Sequence, residues 1–360
     1  MKTSLVILYS LASAAHLMAD DCLDYRISQL EEKMREIHEC TELGRAGAKF
    51  SCAKPPLNCW GVFYVTGDAL YWKMFEGGTE YVYTDINREI ALPALQLVSG
   101  KSKQIDFNWN WGYRVGAAYV FPSNCWGLYL NYTSVRNKGS SAVTRSPGGN
   151  LIPLYLTYTL PQANEAQSHW KIDFSSLDLE LGRSFFLSQY LNVRTHIGLK
   201  GARINQNVNA HYVDIEDELD STVTVKNDFQ GVGLRAGFDS QWFLKGHFSL
   251  FLDASASILW GRFHVRYIEN AIFPAFPALG DLNDHIRFMV PAAQGMLGFG
   301  WETSINSRYY LAFKAGYETQ YWWRQNQIPH DEGTIVFPYG KRIADDLSMH
   351  GLTLKAELDF

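Results

Sequence analysis

The sequence contains no long apolar run. Past its first 19 residues, no stretch offers the ~20 uninterrupted apolar residues that a membrane-crossing helix needs, so a membrane location would require a closed barrel. Charge is also sparse. Asp, Glu, Lys and Arg make up 19% of the 360 residues, the net charge is -5 and the isoelectric point lies near 6.1. That balance leaves no basic footprint and excludes nucleic acid as a partner class. Cysteine numbers only five, an odd count that leaves at least one thiol unpaired within a single chain. Aromatics are plentiful at 14%, with 20 Tyr, 21 Phe and 11 Trp. The mean hydropathy of -0.17 is lower than a helical membrane protein would show.

Three units follow from the chain order. Residues 1–19 read as an export signal: Lys2 is the positive end, Leu5 to Ala15 the apolar core, and Ala14 or Ala19 the small residue before cleavage. In residues 20–58, Leu23, Ile27, Leu30, Met34 and Ile37 recur at spacings of four and three among charged residues, which predicts a short amphipathic periplasmic helix. Two heptads are too few for a coiled coil, and Pro55 and Pro56 end the segment. Residues 59–360 are expected to form an all-β unit.

The last stretch organises that unit. Leu352, Leu354, Ala356, Leu358 and Phe360 alternate with Thr353, Lys355, Glu357 and Asp359, so one face suits lipid and the other does not. An aromatic end of this kind resembles the signal read by the barrel-insertion machinery of Gram-negative bacteria, carried here by Leu352, Leu354, Leu358 and Phe360. The clearest alternation lies at 105–121, where Phe107, Trp109, Trp111, Tyr113, Val115, Ala117, Tyr119 and Phe121 share a face opposite Asp106, Asn108, Asn110 and Arg114. Trp109 is expected on the lipid face near mid-strand. A one-residue slip would turn every polar group of this run into lipid, so its register is strongly specified. Further runs place Trp170, Ile172 and Phe174 ahead of Leu177, Leu179 and Leu181, a phase change that predicts a bulge at Ser175–Ser176.

Counting such runs predicts an antiparallel up-and-down transmembrane barrel of about ten strands. An apolar stretch at Leu151 to Leu160 could raise the number to twelve. Tight turns at Pro122 to Asn124, Leu187 to Gln189, Leu244 to Gly246 and Ile305 to Ser307 fall on one side. Long connections at about 76–102, 138–168, 208–221, 267–284 and 325–346 fall on the other, the asymmetry of outer-membrane barrels. Facing the lumen, the alternation places Asp106, Asn108, Asn110, Arg114, Asp178, Glu180, Arg194, Lys200, Arg235, Asp239, Asp253, Glu302, Lys314 and Glu318. These residues would hold water in a pore and set its field, or pair across a narrow lumen and seal it.

The runs VFYVTGDALYWK, FNWNWGYRVGAAY, LDLELGR, IGLKGARINQ, GVGLRAGFDSQW, SILWGRF and KAGYETQYWWRQNQ, in that order over 60–360, resemble the Legionella-type major outer membrane protein family, with chlamydia-like members. The resemblance implies a barrel porin in the outer membrane of a Gram-negative bacterium. It implies no catalytic residue, cofactor or metal. The expected activity is passive diffusion of small hydrophilic solutes and ions, against the alternative of a closed barrel acting as surface adhesin or structural envelope protein. His211 with Asp214, and His330, Asp331 and Glu332 with Asp345 and Asp346, match no protease spacing and are read as loop charges. Cys22, Cys40, Cys52, Cys59 and Cys125 all map to the periplasmic side. Pairings such as Cys52 with Cys59 or Cys59 with Cys125 stay open beside an intermolecular bond from Cys22, Cys40 or Cys52. Chlamydia-like envelopes make such cross-links relevant. The expected partners are outer-membrane lipid, the insertion machinery, and a homo-oligomer or disulfide-linked envelope proteins.

Overall fold

The computed structural model describes residues 62–92, 95–121, 126–155, 163–188, 190–214, 220–244, 247–271, 278–305, 309–331, 340–342 and 344–359. The periplasmic helix expected over 20–58, all five cysteines and Phe360 lie outside the described residues. Among the described residues there are strands and no helix: β1 (Val62–Glu76), β2 (Val82–Leu92), β3 (Leu95–Lys103), β4 (Asn110–Val120), β5 (Trp126–Thr144), β6 (Leu151–Pro153), β7 (Ala163–Ser188), β8 (Leu191–Asp214), β9 (Asp220–Phe243), β10 (Phe248–Ala271), β11 (Ala278–Ile305), β12 (Tyr309–Asn326), β13 (Pro329–Asp331), β14 (Gly340–Arg342) and β15 (Asp345–Asp359). Ten of them close into one antiparallel ring, in the order β1-β15-β12-β11-β10-β9-β8-β7-β5-β4. Strand β1 closes it by pairing with β15 on one edge and β4 on the other, which leaves no free edge.

Strand β10 shows why the sequence makes this wall. Phe248, Leu250, Leu252, Ala254, Ala256, Ile258 and Trp260 point outward, while Ser249, Asp253, Ser255 and Ser257 point inward. Above Trp260 the chemistry inverts: Arg262, His264 and Arg266 point outward, and Phe263, Val265 and Tyr267 are buried inside. Pairing with β9 and β11 runs through this point without a slip, so the backbone parity is unchanged. The lower half therefore suits lipid outside and polar groups inside. The upper half suits water outside and an apolar core inside.

Strand length agrees with this division. Strands β8, β9 and β10 have 24 residues each. At ~3.3 Å per residue and ~40° of tilt such a strand rises roughly 60 Å, against an apolar band about 25 Å tall. The wall thus continues well past the lipid at the end opposite the short turns at 189–190, 244–247 and 306–308.

Several expectations change for this reason. The connection expected at 208–221 narrows to 215–219 and that at 267–284 to 272–277, because both stretches are upper wall. Their large and apolar residues, such as Val208, Ala210, Tyr212 and Tyr267, point inward, opposite to the lipid-facing apolar residues lower on the same strands. The bulge expected at Ser175–Ser176 is absent: β7 pairs with β5 and β8 straight through it. Leu177, Leu179 and Leu181 face out and Trp170, Ile172 and Phe174 face in on one continuous alternation. What switches there is the surrounding solvent, not the register. Leu151–Pro153 adds no barrel strand. It pairs with β2, which with β3 forms a three-stranded sheet outside the ring, within what were expected as loops.

The run at 105–121 is also not one strand. Ladder pairing begins at Asn110, and Phe107 makes only an isolated bridge to Gly139. Across this irregular step the phase changes: Ile105 and Phe107 are buried, and Asp106 and Asn108 are exposed. Asp106 accepts a hydrogen bond from Lys73 Nζ at 2.7 Å, with 81% of its own side chain in solvent, so neither Asp106 nor Asn108 lines the lumen. Trp109 sits one residue before β4, stacked on Tyr71 at 5.4 Å, and not at mid-strand. The closing strand behaves as its alternation predicts, with Leu352 and Leu354 exposed and Thr353 and Glu357 buried.

Candidate functional site

The other twelve residues expected in the lumen lie on the inner face, from Asn110 and Arg114 on β4 to Lys314 and Glu318 on β12. They do not stand apart around a water column. Arg114 donates to Glu318 at 2.7 Å and to Asp68 at 3.1 Å. Glu318 also accepts from Gln294 at 2.7 Å, and Gln294 in turn accepts from Arg235 at 3.0 Å. Arg235 donates to Glu180 at 2.9 Å, Glu180 accepts from Arg194 at 2.9 Å, and Arg194 donates to Asp239. This single chain of charge-assisted bonds touches β1, β4, β12, β11, β9, β7 and β8, so it crosses the lumen from wall to wall. Lys200, almost wholly buried, donates to both oxygens of Asp178 at 2.9 and 3.1 Å.

Local backbone features hold the wall close enough for this. At Gly233 an added Cβ would lie 1.9 Å from the Ile258 carbonyl oxygen, and at Gly198 2.0 Å from that of Leu179. Only glycine fits these approaches, which flank Lys200 and Arg235 in the ladder.

Above the charges lies an aromatic layer. Trp322 meets Phe174 at 5.6 Å and Phe229 at 6.5 Å; Phe229 meets Phe263 at 4.7 Å, and Phe263 stacks on Phe288 at 4.8 Å. These rings come from β7, β9, β10, β11 and β12 and are continuous with the buried Trp72, Trp170, Tyr212 and Met349 in one apolar cluster. Trp72 ties the layer to the network below by donating to Thr353 at 3.1 Å, and Thr353 donates to Glu318 at 2.9 Å. Among the described residues, the lower lumen holds cavities of about 150 and 100 Å³, both lined by Asp239, Asp253 and Lys355 among others.

The site extends beyond the lumen residues named from the sequence. Asp68, Gln294, Lys355 and Glu357 belong to it, and each lies on the polar side of an alternation already visible in the sequence. His196, between Glu180 and Asp239 at 3.5 Å from each, was equally legible. Conversely, His211 and Asp346, two of the residues weighed as a protease, are not gathered. His211 meets Thr222 and Asp220 on β8 and β9, whereas Asp346 accepts from Tyr321 and from the Arg324 backbone N–H, on the opposite side of the ring.

Solved structures align over most of the chain at low identity and low structural similarity. The outer membrane protease OmpT of Escherichia coli aligns over 88% of this chain and 99% of its own, with 8% identity and a TM-score of 0.37. A major outer membrane protein of Thermus thermophilus aligns over 83% and 99%, with 12% identity and a TM-score of 0.27. The attachment invasion locus protein Ail of Yersinia pestis aligns over 84% and 99%, with 9% identity and a TM-score of 0.24. No curated protein matches the chain. Residues 59–360, the whole span of the barrel, match the family described as Legionella pneumophila major outer membrane protein precursor, and the chain belongs to that outer-membrane β-barrel family.

Proposed function

We propose that this protein is a sealed outer-membrane barrel, an anchor for the wall and sheet that project beyond the lipid, with a structural or surface-contact role in the envelope. The observation that carries this reading is the continuous bonded network from Asp68 through Arg114, Glu318, Gln294, Arg235 and Glu180 to Asp239, roofed by the Phe174–Trp322–Phe229–Phe263 layer. A diffusion pore needs a connected column of water, and a hydrophobic constriction excludes water from its path. The reading assigns no catalytic step and no cofactor. It includes export by the signal at 1–19, delivery by the barrel-insertion machinery, and a disulfide tether from Cys22, Cys40 or Cys52 to a neighbouring envelope protein or a second copy.

The second reading, the diffusion pore for small solutes and ions, draws on the polar lower lumen with Asp253, Lys314 and Lys355 around its larger cavity. Recordings on purified protein in planar bilayers separate the two. The sealed barrel gives no steady conductance. Regular open-channel steps would overturn it in favour of the pore.

A further inference from the structure

Just above the apolar band, the outer wall carries a row of side chains in lateral register: Ser175 on β7, Arg203 on β8, Gln230 on β9, Arg262 on β10 and Arg287 on β11. All three arginines are exposed, and none makes an ion pair among the described residues. Arg203 donates only to Asn205, at 3.2 Å. Arg262 and Arg287 are direct cross-strand partners, an arrangement that repels in the absence of a counter-charge. The neighbouring carboxylates do not neutralise the row. Asp173 is taken by Arg136 at 2.5 Å and Lys171 at 2.6 Å, and Asp281 by Arg266 at 3.0 Å. Asp228, one step higher on β9, lies between Asn205 and His264, and Lys226 and Arg266 oppose each other above it.

Directly below this row the outer face has a shallow, open depression. In the next row Tyr132, Leu177, Gly201, Val232 and Trp260 are lateral neighbours. Gly201 leaves a gap in which an added Cβ would meet nothing closer than the Leu177 carbonyl at 3.9 Å. The resulting groove of about 680 Å³ has apolar walls on the lipid side and the three arginines at its upper rim. The rim spans β8 to β11, three strand spacings or roughly 14 Å.

We infer that this groove binds a phosphorylated lipid of the outer leaflet, with the phosphates held by Arg203, Arg262 and Arg287 and an acyl chain laid along Leu177, Gly201 and Val232. Arginine forks match phosphate oxygens with paired N–H donors, and the unbalanced Arg262–Arg287 pair is relieved by the same anion. The depth is the argument for a lipid occupant: the charged row meets the apolar row at the membrane boundary, where a lipid headgroup and its chains meet.

The test is to titrate the purified full chain in detergent with bis-phosphorylated lipid A, with the same lipid after phosphate removal, and with inorganic phosphate. Native mass spectrometry reads occupancy. The expected result is tight binding of the phosphorylated lipid only. A triple R203Q/R262Q/R287Q variant, checked for the heat-dependent gel shift of a folded barrel, should bind about a hundredfold more weakly. The R262K variant keeps the charge and loses the paired fork, so it should bind more weakly than the native chain and more tightly than the triple variant. Equal binding of the dephosphorylated lipid would reduce the site to a greasy groove, saturation by inorganic phosphate alone would make it a free-anion site, and undiminished binding by the triple variant would remove the arginines. Each of these outcomes overturns the inference, and the first two need no variant.

Discussion

Replacing Arg114 with Leu removes the link that joins three strands across the lumen. In the native barrel its guanidinium makes two bonds to Glu318, at 2.7 and 3.2 Å, and one to Asp68, at 3.1 Å. Glu318 is fully buried and Asp68 nearly so. After the substitution Glu318 still accepts from Gln294, Gln320 and Thr353, so its hydrogen bonding largely survives while its charge is uncompensated. Asp68 loses its bond to Arg114 and keeps Lys355, its cross-strand partner, as the neighbouring positive charge. Breaking one buried pair in this way costs about 3–5 kcal/mol, and since Asp68 keeps this neighbour, the uncompensated Glu318 charge sets an expected loss within that range. The double variant Arg114→Met with Glu318→Met removes both ends of the stronger pair and should be less destabilised than Arg114→Leu alone. Urea unfolding of barrels folded into phosphatidylcholine vesicles, followed by tryptophan fluorescence, measures both. A loss below about 1 kcal/mol for Arg114→Leu, or a double variant as unstable as the sum of its single changes, would refute the network as a coupled unit.

Other expectations follow from the inversion of the wall. Val115, exposed on β4 well below Trp109, is the better probe of lipid: Val115→Arg should cost about 2–4 kcal/mol in the same vesicle assay, whereas Gln167→Arg, exposed on the upper outer wall opposite Ala142 and His211, should be neutral. Equal tolerance of the two would misplace the membrane boundary. Phe229, fully buried between Trp322 and Phe263, tests whether the layer is a packed core: Phe229→Ala should lose about 3–5 kcal/mol, and a change under 1 kcal/mol would show a loosely filled lumen.

The strand alternation was legible in sequence wherever the apolar residues face lipid, as in Leu352 to Leu358, Trp111 to Tyr119 and Phe248 to Trp260. A period of two, a count of ten strands and the side of the short turns all follow from that pattern, since a barrel in lipid must show its apolar residues outward. So does the inward placement of Arg114, Glu180, Arg235 and Glu318, because each lies between outward apolar neighbours. The upper wall was illegible for the same reason. Val208, Val223 and Phe263 obey the identical period with the opposite sign, and a one-dimensional pattern does not say which side of a strand meets water. Asp106 and Asn108 were misassigned where the backbone leaves the ladder, since composition continued to alternate while the phase did not.

Which inward charges meet was decided by tertiary structure alone. Arg114 and Glu318 are 204 residues apart, and only closure of β1 on β15 brings β4 within reach of β12. The sequence by itself determined a lipid-facing barrel with charges inside. Ring closure and the strand lengths decided that those charges bond to one another beneath an aromatic roof, because a ten-stranded ring is narrow enough for side chains from opposite walls to touch.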